Sequence, residues 1–322
     1  MMRLCPPNLA ATCAAALAFS LSGLSAPSVA QDDQRQSSEA ETDQSDRRNG
    51  RVPLSPQDES GFGAQALPQP FESDALSGPL NAAEPDEAPG ILVLLAHPDD
   101  EIPFAPVLSR MNRSGSAVTV VFATSGDDGP GISEMEPGAE LASLREDEGR
   151  CAAFAMGLPD PIYWRLGDGE LATLARRPDS AARDMAQRTA DLIEITRPDV
   201  VLTWGPDGGY GHADHRMISA VATQVIQQMG ADRPDLLYLA LPADVDVVLP
   251  GFDAWAQVAP DLITDRIGYQ MADLDAARLA IDCYQSQFAP EVRAMLPTML
   301  HREIWKGKVF FRNAFQAASN QE

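Results

Sequence analysis

The chain has 322 residues, of which 44% are hydrophobic, and a formal net charge of −23. This length and apolar content suffice for one α/β domain of ordinary size together with segments outside its core. Nucleic acids and anionic membranes select basic surfaces, so the excess of acidic residues argues against both as partners. Solubility alone accounts for the acidity, which therefore indicates no particular partner.

The amino terminus has the pattern of a secretory signal peptide. Met1-Met-Arg3 precedes an apolar, alanine-rich stretch over residues 8–24, and Ser28-Val-Ala30 offers a small-residue cleavage site before Gln31. An uncleaved membrane anchor is the alternative, but the stretch is short and interrupted by polar residues. We predict a signal peptide over residues 1–30, export to the periplasm or beyond, and no stable membrane insertion after cleavage.

Residues 31–87 are rich in Gln, Ser, Asp, Glu and Pro and have no sustained hydrophobic period. Such a composition cannot bury enough apolar area to offset the entropy of ordering the chain. We predict a disordered linker there, followed by one folded domain over residues 88–322.

From Gly90 onward, apolar strand-like runs alternate with amphipathic helix-like segments. Strands are predicted over residues 91–96, 117–124, 162–166, 200–204 and 236–241, with another near 266–271. Helices are predicted over residues 104–113 and 139–156, around 185–193 and 218–229, and over 273–285, followed by a tail. This alternation predicts a doubly wound, mostly parallel α/β sheet.

Two polar clusters directly follow predicted buried strands. One is His97-Pro-Asp-Asp-Glu101, and the other is Gly208-Gly-Tyr-Gly-His-Ala-Asp-His215. Sites on open parallel sheets lie at the carboxyl ends of the strands. An incidental acidic turn is the alternative for the first cluster, but three of the four histidines fall in these two places. The fourth, His301, is expected to be an ordinary surface or core residue.

Two histidines and a carboxylate suit zinc, or a neighbouring divalent metal such as Fe²⁺, and leave a position for water. His97 and one of Asp99 and Asp100 can reach one metal, while the other acid, aimed differently by an extended backbone, stands beside the water. His212 and His215 are three residues apart at a helix start, so one can bind the metal while the other faces the substrate. A metal lowers the pKa of its water to about 7, which lets a carboxylate base act at neutral pH.

Three further features have ordinary explanations. The glycine-rich loop over residues 125–131 has no lysine and is itself acidic, so it suits a substrate rim better than a phosphate cradle. Arg145 and Glu148 have the spacing of an exposed ion pair of little energetic value. Cys151 and Cys283 remain after signal cleavage, either as buried free thiols or as a disulfide, and their spacing alone does not decide which.

The motifs His97-Pro-Asp-Asp-Glu101, Arg145-x-x-Glu148-x-x-x-Ala152 and Gly209-Tyr-Gly-His-Ala-Asp-His215 resemble those of the LmbE/PIG-L family of metal-dependent N-acetylglucosaminyl deacetylases. The resemblance implies a Rossmann-like fold with zinc bound by His97, Asp100 and His215. The further roles that it implies are a general base at Asp99, an oxyanion-stabilising or amine-protonating group at His212, a residue that orients His212 at Asp214, a mobile oxyanion contact at Tyr210, and sugar contacts at Arg145 and Asp168. The carboxy-terminal Tyr284-Gln-Ser-Gln287 only loosely resembles the family's histidine-containing segment.

We therefore predict an exported, zinc-dependent hydrolase that removes an acyl group, such as acetyl, from an N-acylated amino sugar or related amide. A non-haem iron enzyme is one alternative, because two histidines and a carboxylate also describe that site. A non-catalytic carbohydrate- or metal-binding module is another, although such a module would not need both Asp99 and His212. The sequence does not specify the sugar, the oligomeric state or the metal used in the cell.

Overall fold

The computed structural model describes residues 88–245 and 255–315. The predicted signal peptide and linker, residues 1–30 and 31–87, lie outside the described residues and stay predictions. Among the described residues, every helix is too short or too polar to cross a membrane.

Within the described residues, seven strands form a single sheet in the order β3-β2-β1-β4-β5-β7-β6. Their bounds are Ile91–Leu95 (β1), Val118–Phe122 (β2), Ile162–Tyr163 (β3), Val200–Thr203 (β4), Asp235–Ala240 (β5), Asp265–Gly268 (β6) and Lys308–Asn313 (β7). The first five strands run parallel, with β1 hydrogen bonded to β2 on one side and to β4 on the other.

In the part of the chain that the structure describes, six α-helices accompany the sheet: Ala105–Arg113 (α1), Ala139–Ala155 (α2), Ala181–Thr196 (α3), Ala213–Ile226 (α4), Met271–Cys283 (α5) and Pro290–Met299 (α6). The bounds of α1 and α2 lie within one residue of the prediction, whereas α5 begins and ends two residues earlier. A short 3-10 helix, Ile102–Phe104, joins the first polar cluster to α1.

The sheet is covered on both faces because successive side chains of each strand point to opposite sides. In β1, Ile91, Val93 and Leu95 belong to the core that also contains α1, α2 and α5. Leu92 and Leu94 belong to the core on the other face, beneath α3 and α4. All five residues of β1 are buried. The predicted doubly wound, mostly parallel α/β fold is confirmed.

The predicted carboxy-terminal tail is wrong. Residues after α5 form α6, a π-helical segment over Leu300–Trp305, and β7, which inserts antiparallel between β5 and β6. A proline inside α6, Pro297, weakens the helical signal there. The two strands that pair with β7, β5 and β6, both lie far from it in sequence. The local pattern alone therefore does not reveal a strand there.

Cys151 of α2 and Cys283 at the end of α5 form a disulfide, with their Cα atoms 5.8 Å apart. The two cysteines are separated by 132 residues in sequence. Cys151 is exposed, and Cys283 is partly buried. The structure thus favours the bridge over the pair of buried free thiols.

Replacing both cysteines, as Cys151→Ser with Cys283→Ser, is expected to lower the free energy of unfolding by about 2–4 kcal/mol, because a long closed loop restricts the unfolded chain. Urea denaturation without reductant measures the change. Wild-type protein in reductant is the matched control and should behave like the double variant. Equal stability of the oxidised wild type and the double variant would contradict the bridge.

Candidate metal centre

The two polar clusters meet because β1 and β4 are adjacent, parallel and in register, with Leu94 opposite Thr203. Each strand delivers its cluster to the same sheet edge. The ring centroid of His97 lies 4.8 Å from that of His212 and 5.3 Å from that of His215. The structure therefore brings together the three histidines that the sequence singled out.

Hydrogen bonds at the outer ring nitrogens set the tautomers of His97 and His215. Nε2 of His97 lies 2.9 Å from Oδ1 of Asp168, and Nδ1 of His215 lies 3.1 Å from the carbonyl oxygen of Gly208. Carbonyl and carboxylate oxygens only accept hydrogen bonds, so the protons of the neutral rings belong on these nitrogens. The remaining nitrogens, Nδ1 of His97 and Nε2 of His215, face each other at 3.3 Å. Metal-binding histidines have this arrangement.

Asp100 supplies a third donor beside these two nitrogens. Its Oδ2 accepts hydrogen bonds from the backbone N–H groups of Ala96 and His97, each 2.9 Å long. Held in this way, the carboxylate directs Oδ1 to within 2.9 Å of Nε2 of His215. The fully buried strand end thus orients Asp100 through its own backbone.

The separations among these donors fit a small divalent ion. Donors that each bind zinc at 2.0–2.1 Å in tetrahedral geometry lie roughly 3.3 Å apart. Here the separations are 2.9 Å between Oδ1 of Asp100 and Nε2 of His215, 3.3 Å between the two histidine nitrogens, and 3.6 Å between Oδ2 of Asp100 and Nδ1 of His97, so the two oxygens of the carboxylate each face one histidine. His97, Asp100 and His215 are therefore the residues that would hold a metal.

Two other groups of donors also lie within 4.8 Å of one another, namely His97 with His212 and His215, and His97 with Asp168 and Asp214. In the first group, Nδ1 of His212 already accepts a hydrogen bond from the backbone N–H of Asp214. In the second, the carboxylates contact the proton-bearing side of His97. Both groups fit a metal less well than the set containing Asp100, and we assign their members to the surroundings of the ion.

The electrostatics of the cluster favour a positive charge at its centre. Burial lowers the pKa of His97, but hydrogen bonds to Asp100, Asp168 and Asp214 outweigh burial and raise that pKa well above its ordinary value. Burial raises the pKa of Asp100, yet the charge of His215 and hydrogen bonds from both histidines hold it well below its ordinary value. Carboxylates that stay ionised beside histidines provide the charge that a divalent cation needs.

Asp99 projects differently from Asp100 because its backbone has a φ of 104°. A positive φ is uncommon for any residue other than glycine, and such strain is typical of functional sites. The predicted extended backbone at this position is wrong, since the chain turns sharply here. The turn leaves the side chain of Asp99 23% exposed, whereas that of Asp100 is 4% exposed. Burial raises the pKa of Asp99 to about 6, although Arg145 opposes the shift.

Arg145 contacts the turn at Asp99 and not Glu148. Its Nη2 donates to the carbonyl oxygen of Pro98 and to Oδ2 of Asp99, at 2.5 and 3.1 Å. Its Nη1 donates to the carbonyl oxygens of Gly126 and Gly129 in the glycine-rich loop, at 3.4 and 3.2 Å. Arg145 is only 3% exposed. The expected surface ion pair with Glu148 is therefore wrong.

The carboxylate of Asp214 contacts His97 and the backbone. Oδ2 of Asp214 accepts a 2.8 Å hydrogen bond from the N–H of Gly169 and lies 3.3 Å from Nε2 of His97. Its contact with His212 is made by the backbone N–H. The predicted role of Asp214 in orienting His212 stays a prediction, with that backbone group as the atom that performs it here. The sugar contacts predicted for Asp168 and Arg145 also stay predictions.

The comparisons with known proteins agree with this geometry. Residues 92–226 match the family model PIG-L: GlcNAc-PI de-N-acetylase. The match spans both polar clusters and Arg145. Residues 92–226 thus form a PIG-L domain. The predicted family is confirmed, and the predicted enzyme class, a metal-dependent N-deacetylase, is the class of that family.

Curated relatives and solved structures extend the match. A 1D-myo-inositol 2-acetamido-2-deoxy-alpha-D-glucopyranoside deacetylase from Mycolicibacterium gilvum (strain PYR-GCK) is 28% identical over 212 residues, which are 59% of this chain and 74% of that protein. The chain spans only about half the length of several further relatives with the same name.

Two solved structures share the fold at 17% identity. N,N'-diacetylchitobiose deacetylase from Pyrococcus horikoshii has a TM-score of 0.52 and matches over 74% of this chain and 86% of its own. GalB, the 4-carboxy-2-hydroxymuconate hydratase from Pseudomonas putida KT2440, has a TM-score of 0.54 and matches over 73% of this chain and 99% of its own. The same fold thus accompanies different reactions, and the chemistry of a PIG-L domain has to be argued from its site.

Aromatic side chains complete the site around His215. The ring of Trp204 stacks on that of His215, with centroids 4.6 Å apart and an angle of 6° between the planes. Tyr210 lies at the mouth of the site and is 44% exposed. Its ring centroid is 5.3 Å from that of His215. From the sequence alone, Trp204 is only the end of the predicted strand over residues 200–204. Its position directly before the glycine-rich second cluster is the signal for this role, since a side chain added at Gly209 would come within 2.7 Å of the indole.

The hydrogen-bond partner of Glu101 is also not apparent from the sequence, because Tyr284 lies 183 residues away. The hydroxyl of Tyr284 donates to Oε1 of Glu101 at 2.5 Å, and Oε2 of the same carboxyl accepts from the backbone N–H of Asp99 at 3.1 Å. Burial raises the pKa of Glu101 to about 8, although the hydrogen bond from Tyr284 opposes the shift. Glu101 is therefore a buried carboxyl whose raised pKa favours its neutral form, and it supports the turn bearing Asp99.

Glu101→Gln is expected to make the stability less dependent on pH. A raised carboxyl pKa stabilises the folded state below the unfolded value of 4.5, and this stabilisation is lost as the pH rises through about 8. A neutral amide of the same shape avoids the loss. Between pH 5 and pH 9 the free energy of unfolding of the variant should therefore rise on the order of 1–3 kcal/mol relative to that of the wild type. Urea denaturation with a chelator at both pH values measures this free energy. An equal change in the free energy of unfolding of the two proteins between pH 5 and pH 9 would contradict the prediction.

Proposed function

We propose that the protein is an exported, zinc-dependent hydrolase that removes the acetyl group from an N-acetylated amino sugar. The observation that carries the proposal is the convergence of Nδ1 of His97, Nε2 of His215 and the carboxylate of Asp100, with Asp99 beside them. Zinc bound there would polarise the amide carbonyl and lower the pKa of a water molecule to about 7. Fe²⁺ fits the same donors, and acetate release by protein loaded with each metal distinguishes the two.

Asp99 has the properties of the general base. Its carboxylate is partly exposed beside the metal-binding residues, and its pKa of about 6 allows it to be ionised, yet able to accept a proton, near neutral pH. Arg145 fixes the orientation of the carboxylate by donating to Oδ2. Asp99 would take a proton from the attacking water and hold it for the departing amine.

His212 is suited to donate a hydrogen bond to the oxyanion. Burial lowers the pKa of His212, and the charges of His97 and His215 lower it further, so the ring is neutral at pH 7. Nδ1 accepts from the backbone N–H of Asp214 at the start of α4, which leaves the proton on Nε2. A fixed donor of this kind stabilises charge that develops on the carbonyl oxygen. Tyr210, at the mouth of the site, would be a second donor.

The proposed substrate class comes from the relatives. The curated relatives are named as deacetylases of an acetamido sugar joined to inositol, and the Pyrococcus horikoshii protein as a deacetylase of a diacetylated disaccharide. We infer that an N-acetylated glucosamine unit binds here with its acetamido group at the metal. Asp168 is the proposed sugar contact at the rim. Arg145 would contact the sugar through a rearrangement of its present hydrogen bonds.

The disulfide between Cys151 and Cys283 supports the proposed export, because such bonds persist in oxidising compartments.

The proposed cleavage site follows Ala30. Mass spectrometry of the exported protein should find a mature chain that starts at or near Gln31, and a chain that retains Met1 would contradict the proposal.

Purified mature protein, loaded with zinc or with Fe²⁺, should release acetate from N-acetylated mono- and oligosaccharides. Apoprotein prepared with a chelator is the control and should be inactive until metal is restored. Metal-loaded protein without acetate release from any of these sugars would contradict the function. Iron-dependent consumption of oxygen and a 2-oxo acid would instead establish the alternative iron enzyme.

Asp99→Asn and Asp100→Asn are expected to fail in different ways, although the two residues are adjacent and chemically identical. Asp100→Asn should lose metal affinity, because an amide is a poorer ligand than a carboxylate. Asp99→Asn should retain the metal and lose kcat by about 10²- to 10⁴-fold, because it cannot accept the proton. Metal content by mass spectrometry and initial rates test both variants. Metal retention with full activity in both would contradict the assignment.

A further inference from the structure

The segment over residues 284–287, between α5 and α6, contacts the loop that holds Arg145. Nε2 of Gln287 donates to the carbonyl oxygen of Gly129 at 3.2 Å, the same oxygen that accepts from Nη1 of Arg145 at 3.2 Å. The carbonyl oxygen of Ser286 accepts from the N–H of Ile132 at 2.8 Å. The segment and the glycine-rich loop are therefore joined on both sides of Gly131.

Gly131 allows this close approach. It has a φ of 60°, and a side chain added there would come within 2.5 Å of the carbonyl oxygen of Ser286. Only glycine combines a positive φ with the absence of a side chain at such a contact. The backbone of the loop consequently lies directly against residues 286 and 287.

Helix α2 holds both sides of this contact. Glu148 accepts hydrogen bonds from the backbone N–H and the hydroxyl of Ser286, at 2.7 and 2.6 Å, and is 6% exposed. One turn earlier, Arg145 binds the loop and Asp99. At the start of the loop, Ser125 donates to Glu146 at 2.7 Å. The result is a closed ring of hydrogen bonds running from α2 through residues 286 and 287 to the loop, and back through Arg145.

We propose that Gln287 is a positioning residue for Asp99, acting through the carbonyl of Gly129 and the guanidinium of Arg145. The inference rests on the proposed function of Asp99 and extends it to a segment that the family motifs at the two polar clusters do not include. Gln287 fixes the loop carbonyl, which fixes one side of the guanidinium. The other side of the guanidinium then presents a fixed donor to Oδ2 of Asp99. A displacement of about 1 Å in a reacting group is enough to lower a rate by about 10²-fold.

Gln287→Met tests the inference, because it keeps the length of the side chain and removes the donor. We expect kcat to fall about 10- to 100-fold, with KM changed less than threefold and metal content unchanged. Ser286→Ala, which removes the hydroxyl contact with Glu148 and with Gln287, should produce the same pattern. A kcat within twofold of wild type in both variants, or a loss of rate that follows loss of metal, would overturn the inference.

Arg113→Ala is the matched control for a loss of stability alone. Arg113 binds Asp273 across α1 and α5 through two hydrogen bonds of 3.0 and 2.8 Å, and neither residue contacts the metal centre or the loop in the described structure. This variant should lower Tm and leave kcat unchanged. If Arg113→Ala lowered kcat as much as Gln287→Met at equal loss of Tm, the effect would be one of general stability and the inference would fail.

Hydrogen exchange of the amides separates this inference from the proposed function, because it requires no turnover. In Gln287→Met, exchange should accelerate both in residues 126–132 and in the turn over residues 98–101, while Arg113→Ala leaves both regions unchanged. Acceleration confined to residues 126–132 would mean that the effect stops at the loop, and the positioning of Asp99 would be disproved. If the wild type deacetylates no sugar, the proposed function fails, and the exchange result alone still decides whether the ring acts on the turn.

Discussion

The candidate metal centre depends on two hydrogen bonds at the outer nitrogens of its histidines. Asp168 accepts from Nε2 of His97, and the carbonyl oxygen of Gly208 accepts from Nδ1 of His215. Because each bond fixes a proton on the outer nitrogen, the inner nitrogens are left as donors to one ion. These two partners follow different strands, β3 and β4, while His97 follows β1. The site therefore exists only when three parallel strands end at one level, and the buried, apolar character of β1 and β4 ensures this for two of them.

Arg145 shows why a local pattern misjudges a charged residue. On a helix, Arg and Glu three residues apart predict an exposed pair of small energetic value. Burial reverses the argument, since a charge removed from water must find several partners within the protein. The guanidinium of Arg145 donates hydrogen bonds to three backbone carbonyls and one carboxylate, all of them remote in sequence. The contacts follow from the way the turn after β1 and the glycine-rich loop after β2 fold over α2.

The sequence predicts what depends on local periodicity and on topology. The alternation of apolar strands with amphipathic helices predicts the parallel sheet, and the rule that strand ends share an edge predicts that His97 and His215 meet. Features set by distant parts of the chain were not predictable in the same way. The turn at Asp99 that Arg145 contacts, the hydrogen bond from Tyr284 to Glu101 and the contact of Gln287 with the loop each require groups that are far apart in sequence. The strand β7 belongs to the same class, because its paired residues precede it by 40 to 76 residues.

The position of β7 has a consequence for the order in which the domain is completed. In the described structure, β6 is joined to the sheet only through β7, which comes after it in sequence. Until β7 is made and inserted, the edge of β5 stays unpaired and β6 has no place in the sheet. The parallel half of the sheet can form from strands that precede β7, whereas its antiparallel edge closes only after β7 has been made and inserted.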